Sequence, residues 1–173
     1  KRVEMVVNIR EAVSDEVELI RKQRVKAYKD HSKVIPQAHW EALRKAIMSD
    51  ADQQVDVKLL VAEINGEIVG SVALFPAKSD AYKGLVEMID YPEIRMLAVN
   101  QESRGKGVAE ALIKECIHRT KRIGSQNIGL HTADFMETAM RLYERMGFAR
   151  MPEFDFQPAN DGIIVKAYRL SIE

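Results

Sequence analysis

Asn65-Gly66 stands between two strand-like runs, Val57 to Ile64 and Glu67 to Phe75, and no other feature restricts the chain as strongly. Asparagine followed by glycine accepts the positive φ angles of a two-residue type I′ turn, whose twist matches that of the flanking strands. An antiparallel hairpin is therefore expected, and the remaining elements are read around it. Met5 to Arg10 forms a first strand, and Ser14, with Asp15 and Glu16 behind it, caps a helix running to about Tyr28. Pro36 opens a second helix, where Trp40, Leu43 and Ile47 share one stripe, and the polar run Asp50 to Gln54 ends it.

Beyond the hairpin, Ala77 to Asp90 reads as a loop and Glu93 to Val99 as a strand. A helix starts near Gly105, with Val108, Leu112 and Cys116 on one line and Ala109, Ile113 and Ile117 beside it, and Gly124 stops it. Asn127 to Thr132 is a strand, Met136 to Met146 a helix followed by Gly147, and strands begin at Phe148 and Ile163, the last ending at Ile172. The order β-α-α-β-β-β-α-β-α-β-β predicts a mixed α/β sheet, antiparallel at first, with a helical crossover from the fourth strand to the fifth and helices on both faces.

No repeat, low-complexity tract or flexible linker divides the chain, so residues 1–173 are expected to form one domain. Lys and Arg together number 26 and so do Asp and Glu, which leaves no net field to draw the protein to nucleic acid or an anionic membrane. Cys116 is the single cysteine, no apolar run reaches the ~18 residues of a spanning helix, and the first residues carry no secretory stretch. The cytoplasm is the expected location, with Met5 a candidate natural start. His31, His39, His118 and His131 lack metal-ligand spacing, so no metal is expected; His131 borders the region discussed next but reads as an ordinary strand-end histidine. Cys116, on an inward helix line, reads as packing.

Arg104-Gly105-Lys106-Gly107-Val108-Ala109 joins a strand to a helix and places two glycines where the first helical turn leaves its N–H groups unpaired. Such a nest, with the positive end of the helix dipole behind it, suits a pyrophosphate, although a softened helix start that binds nothing fits the same residues. A nucleoside-triphosphate loop would need Ser or Thr after the lysine, where Gly107 stands. A dinucleotide fingerprint would need a third small residue where Glu110 stands.

Together with the strand Glu93 to Val99, this loop resembles the central acetyl-CoA motif of the GNAT superfamily, Gln/Arg-x-x-Gly-x-Gly/Ala. Ala139-Met140-Arg141-Leu142-Tyr143-Glu144-Arg145-Met146-Gly147-Phe148 resembles that family's second motif. Two departures stand out: Glu102 replaces the usual Gln or Arg, and Met136 replaces an Asn found in many members. The resemblance implies the GNAT acyl-CoA N-acyltransferase fold, with the fourth and fifth strands parallel and splayed. It implies a transferase that moves an acetyl group from acetyl-CoA to a primary amine of unidentified identity, by direct attack in a ternary complex.

On that resemblance the pantetheine arm pairs with main-chain groups of Leu97, Ala98 and Val99, and Met136 and Ala139 border it. The pyrophosphate meets Arg104, Gly105, Lys106, Gly107, Val108 and Ala109. Two readings stand for Glu93: the general base that frees the amine, or an exposed strand-end acid paired with Arg95 or a lysine. Two stand for Tyr143 as well: the acid beside the CoA sulfur, or a core tyrosine with Ala139, Met140 and Met146. Pro152 to Pro158, rich in aromatics and acids, is a candidate wall of a pocket for a cationic amine, and equally a surface loop; Trp40 and the second helix are candidates for the opposite wall. A CoA-binding sensor that has lost its chemistry is the competing class, and a homodimer stays open.

Overall fold

The hairpin forms where the Asn65-Gly66 pair requires it. In the computed structural model, which describes residues 6–79 and 89–172, β2 (Lys58–Ile64) and β3 (Glu67–Phe75) pair antiparallel across Asn65 and Gly66, both at positive φ. β1 (Asn8–Glu11) pairs with the free edge of β2, so the first strand exists but starts at Asn8, with Val6 and Val7 outside it, and ends one residue later than expected; Met5 lies outside the described residues. α1 (Val17–Tyr28) ends where predicted. Its entry differs from the prediction, because Ser14 makes no cap: residues 14–16 form a short 3-10 turn, and the Glu16 carboxylate accepts the Val13 N–H at 2.9 Å while pairing with Arg10. A longer acidic side chain reaches back where the serine hydroxyl does not.

α2 (Gln37–Ile47) follows Pro36 and stops before the polar run, which forms its own 3-10 turn capped by the Ser49 hydroxyl. β4 (Glu93–Val99), β5 (Asn127–Ala133) and β7 (Val165–Ser171) match the sequence reading closely. α3 (Val108–Arg122) begins three residues later than predicted, because Gly105 and Gly107 are both left-handed and remain outside the helix. α4 (Glu137–Arg145) is followed by β6 (Ala149–Arg150), only two residues long. The predicted loop from Ala77 to Asp90 falls mostly outside the described residues; at its base the Lys78 N–H donates to the Ile89 carbonyl at 2.6 Å.

Among the described residues the strands lie in the order β1-β2-β3-β4-β5-β7-β6, and β4–β5 is the one parallel pair there. Leu60, Val72, Leu74, Ile94, Ile128 and Leu130 face α3 and α4 through Val108, Leu112, Cys116 and Tyr143. The opposite face presents Leu59, Val61, Ala73 and Phe75 to Ile20 of α1. Burial of apolar side chains on both faces is the main source of cohesion, and it places the middle strands, β4 and β5, in the interior. Among the described residues no helix is long and apolar enough to cross a membrane.

Gly129 on β5 has a packing role. A Cβ there would overlap Cε2 of the Tyr91 ring and sit 3.2 Å from the Tyr168 carbonyl oxygen. Gly129→Ala is expected to destabilise the protein by about 2 kcal/mol, a fall of about 5 °C in Tm, because a buried ring must move aside. An unchanged melting temperature would show that Tyr91 has another place to go.

Candidate active site

β4 and β5 run side by side but part almost at once. Their ladder consists of Glu93↔Gly129 and Ile94↔Leu130 among the described residues, while β4 stays paired with β3 as far as Val99↔Gly70. The β3 side contains a bulge, since Arg95 to Ala98 on β4 faces only Ala73 to Ser71 on β3, and Met96 takes φ 58°. A methionine in the left-handed region costs roughly 1–3 kcal/mol, and such strain persists only where the surrounding structure holds it.

Backbone alternation decides which groups face the opening. Asn100 N–H donates to the Val69 carbonyl, and Ala98, two residues earlier, pairs with Ser71, so both turn toward β3. Leu97 and Val99 then turn their N–H and C=O groups toward β5, where the ladder has ended. The Ala98 carbonyl also accepts from Gln23 Nε2 of α1 at 3.2 Å; Gln23 itself is held by Asn100 and by the Ser71 hydroxyl.

At the wide end of the opening, α3 begins on Gly107 without a side-chain cap, and among the described residues no side chain bonds to its first-turn N–H groups. Gly105 and Gly107 share φ 78°, and a Cβ built on either meets nothing within 4 Å. The loop therefore combines a helix N-terminus with open space above it, the arrangement that accommodates an anion. Lys106 is exposed beside it. Arg104 is partly committed elsewhere: its guanidinium donates to the Ala27 carbonyl at 2.9 Å and meets Asp30 at 3.3 Å, tying the loop to the end of α1.

At the closed end Glu93 is buried, 7% exposed, which rules out the exposed strand-end acid. Its partner is neither Arg95 nor a lysine. Oε2 lies 2.8 Å from Nδ1 of His131, whose Nε2 lies 3.0 Å from the carbonyl of Phe154, and the Phe156 ring packs on the imidazole. Arg95 lies over the Phe75 ring. Sequence reasoning passed over His131. The available signal was parity: with Glu93 opposite Gly129 on a parallel neighbour, the residue two beyond Gly129 shares Glu93's face. Tyr91 lies across Gly129 beside this pair, its phenol pushed up to about 12 by burial and then by the Glu93 charge.

Tyr143 of α4 enters the opening's neighbourhood from the other face. It is 5% exposed and contacts the rings of Phe148 and Tyr168. Burial first, then the proximity of Tyr28 and Cys116, hold its phenol far above the usual range, so it is fully protonated at neutral pH. Met136 and Ala139, half-buried, start α4, and the Met136 sulfur accepts from the Thr132 hydroxyl at 3.6 Å. On the α1–α2 side, His39 pairs with Asp161 at 2.7 Å, and Phe135 contacts both His31 and His39. The 152–158 segment packs onto the site through Phe154 and Phe156, and Asp155 is tied to Arg150 at 2.6 Å. Two surface cavities, of about 490 and 610 Å³, lie elsewhere, at the Lys121–Asn127 corner and along the outer side of α2.

The profile of the acetyltransferase (GNAT) family matches residues 19–148. Curated relatives include the probable N-acetyltransferase family 8 member 5 of Mus musculus, 33% identical over 94 residues, covering 54% of this chain and 39% of that protein. N-alpha-acetyltransferase 30 of Schizosaccharomyces pombe is 38% identical over 90 residues, covering 52% of this chain and 56% of its own length. The chain thus spans about two fifths to somewhat over half of these relatives. Among solved structures, a GNAT-family acetyltransferase from Staphylococcus aureus superposes with TM-score 0.71 at 16% identity, covering 97% of this chain and 100% of that one. The PaiA N-acetyltransferase of Thermoplasma acidophilum, solved with coenzyme A, gives 0.70 at 14% identity, with coverages of 97% and 100%. At these identities the structural likeness concerns the fold.

The wall formed by α1 rests on a buried ion pair. Arg24 and Asp52 meet at 3.1 Å with both side chains fully buried, Arg21 shares the same carboxylate at 2.8 Å, and Arg24 also donates to the Ile47 carbonyl. Arg24 Nε and Nη2 have no hydrogen-bond partner among the described residues, and burial holds its pKa below the usual arginine value. Asp52→Ala is expected to cost about 3–5 kcal/mol in urea unfolding, because it strands a buried cation, whereas Asp52→Leu combined with Arg24→Met should recover most of that loss. A single-variant cost under about 1 kcal/mol would contradict this account.

Proposed function

The chain belongs to the acetyltransferase (GNAT) family, and from that premise we propose that it transfers an acetyl group from acetyl-CoA to a primary amine, by direct attack within a ternary complex. The observation that carries this reading is the opening between β4 and β5, with a buried carboxylate at its closed end and an uncapped glycine-flanked helix start at its wide end. When bound, acetyl-CoA would supply the activated acyl group as a thioester.

The residues present fit that ligand. Leu97 and Val99 offer main-chain donors and acceptors to the amides of the pantetheine arm, which completes β4 much as an added strand would. Ala98 contributes shape rather than hydrogen bonds, since its main chain faces β3. Gly105, Lys106, Gly107, Val108 and Ala109 receive the pyrophosphate through first-turn N–H groups, with the Lys106 charge alongside. Arg104 serves mainly through its main chain and through its hold on α1. Met136 and Ala139 flank the arm at the start of α4.

A free alkylamine has a pKa of ~10.4 and arrives largely as ammonium, so a proton must be removed before nitrogen can attack. Glu93 is the proposed acceptor of that proton. Oε1 accepts no hydrogen bond among the described residues, which leaves it open to the amine. Tyr143 is the proposed donor to the departing sulfur. Its high proton affinity suits an interior in which thiolates are also strongly basic: the neighbouring Cys116 thiol is itself pushed up to about 12 by burial. Asp90, Glu93 and Glu153, the acids around Tyr91, favour a cationic acceptor.

Calorimetry with acetyl-CoA, CoA and ATP tests the donor, and binding of ATP alone would overturn the proposal. Thiol release across a panel of primary amines tests the chemistry; tight CoA binding with no release would favour a sensor. Tyr143→Phe is expected to lower turnover about 100-fold while CoA affinity changes by less than about threefold. Unchanged turnover would remove the acid role from Tyr143.

A further inference from the structure

A backbone carbonyl accepts hydrogen bonds and cannot donate them. The 3.0 Å contact between His131 Nε2 and the Phe154 carbonyl therefore places a hydrogen on Nε2. A neutral ring protonated at Nε2 presents a bare lone pair at Nδ1, yet Nδ1 lies 2.8 Å from Glu93 Oε2. A carboxylate oxygen and an imidazole lone pair do not approach so closely without a proton between them. The contact thus calls for one proton shared between the two side chains, which leaves them neutral as a unit and suits the burial of those side chains alone, 1% exposed for His131 and 9% for Glu93. Among the described residues, the charged and titratable groups around the unit have partners: Asp155 binds Arg150 and the Ala167 N–H, Arg95 covers Phe75, and Tyr91 lies among Asp90, Glu153 and Arg169.

We propose that His131 is the positioning residue of the base: Glu93 and His131 take up the acceptor's proton as a unit and store it in the Oε2···Nδ1 hydrogen bond. This rests on the reading of the site as an acetyltransferase centre in which Glu93 receives the amine's proton. In that step an ammonium N–H bond breaks, its electron pair stays on nitrogen for the attack, and the proton comes to rest between Oε2 and Nδ1. The positive charge leaves the amine and cancels the carboxylate's negative charge, so charge balances. The arrangement in this structure is then the proton-loaded form, and the reactive form is the emptied one, with carboxylate and neutral ring. The Phe154 carbonyl fixes which nitrogen keeps its hydrogen, so the 152–158 segment sets the protonation pattern of a group on β5.

Two experiments separate this inference from the acetyl-transfer reading. Nitrogen-15 NMR of the full chain labelled at histidine, without substrate, should show a hydrogen on His131 Nε2 and a second, far-downfield proton shared at Nδ1. His131→Gln supplies the assignment, and Glu93→Gln should abolish the shared proton while leaving that on Nε2. A wild-type Nδ1 without a proton, or one unaffected by Glu93→Gln, would overturn the pairing whether or not the protein is active. With any amine the wild type acetylates, His131→Gln should lower kcat tenfold or more, keep the KM for acetyl-CoA within about threefold, and move the acid limb of the kcat/KM profile. His131→Asn is the second variant, with melting curves to show that each is folded. A lowered kcat on an unmoved pH profile would make His131 merely structural and sink the proposal. A wild type that acetylates no amine would sink the acetyl-transfer reading, leaving the NMR result to decide the pairing.

Discussion

A sheet that stops bonding in its own middle is the constraint around which this molecule is organised. β2 and β3 are paired along their length, as are β5 and β7, but β4 and β5 separate after Ile94 and Leu130. Interior main-chain groups without partners are costly, so an opening of this kind persists only if something polar fills it. The bulge at Met96 belongs to the same arrangement. It inserts one residue into β4, shifts the register against β3, and sets which main-chain groups beyond it point into the opening. Strain at a single methionine is thus linked to the hydrogen-bonding capacity of Leu97 and Val99.

The opening also joins two faces that the rest of the sheet keeps apart. α1 covers one face, with α2 packed against it, and α3 and α4 cover the other, yet Tyr143 of α4 lies close enough to Tyr28 of α1 for the two phenols to influence each other. That proximity across a sheet is intelligible where strands have parted. Glu93 and His131 belong to the α1 side and Tyr143 to the α3–α4 side, so the proposed base and the proposed acid would approach a thioester from opposite faces. α1 is held in register by Gln23 across β3 and β4, by Arg104 at its end, and by Arg24 and Asp52 beneath it. Each of these contacts fixes α1 against a neighbouring element.

Much of this was legible in the sequence because it is local. The Asn65-Gly66 turn, the apolar lines of α3 and the glycines before it each state their geometry within a few residues, and the order of elements follows from them. The misplaced features are those decided by competition or distance. Ser14 looks like a cap until Glu16, anchored by Arg10, takes the Val13 N–H instead. Ala98 looks equivalent to Leu97 and Val99 until strand parity turns it toward β3. His131 looks solitary because its partner is 38 residues away. Arg104 stands within the loop motif, and nothing nearby announces that its guanidinium also reaches Ala27, 77 residues upstream.

The same distinction explains why the donor side of the site can be read more fully than the acceptor side. The coenzyme-facing surface consists of β4, the glycine loop and the start of α3, one continuous stretch in which spacing is preserved by the chain itself. The proposed acceptor wall is assembled from α2, the turn after β5 and the segment before β7. His39 reaches Asp161 across 122 residues, and Phe135 touches His31 and His39. A wall built from such distant pieces can change shape through any one of them without disturbing the hydrogen-bonding pattern that receives the coenzyme. Family membership therefore points to the donor, while under the proposed acetyl transfer the choice of amine would fall to side chains that no short motif contains.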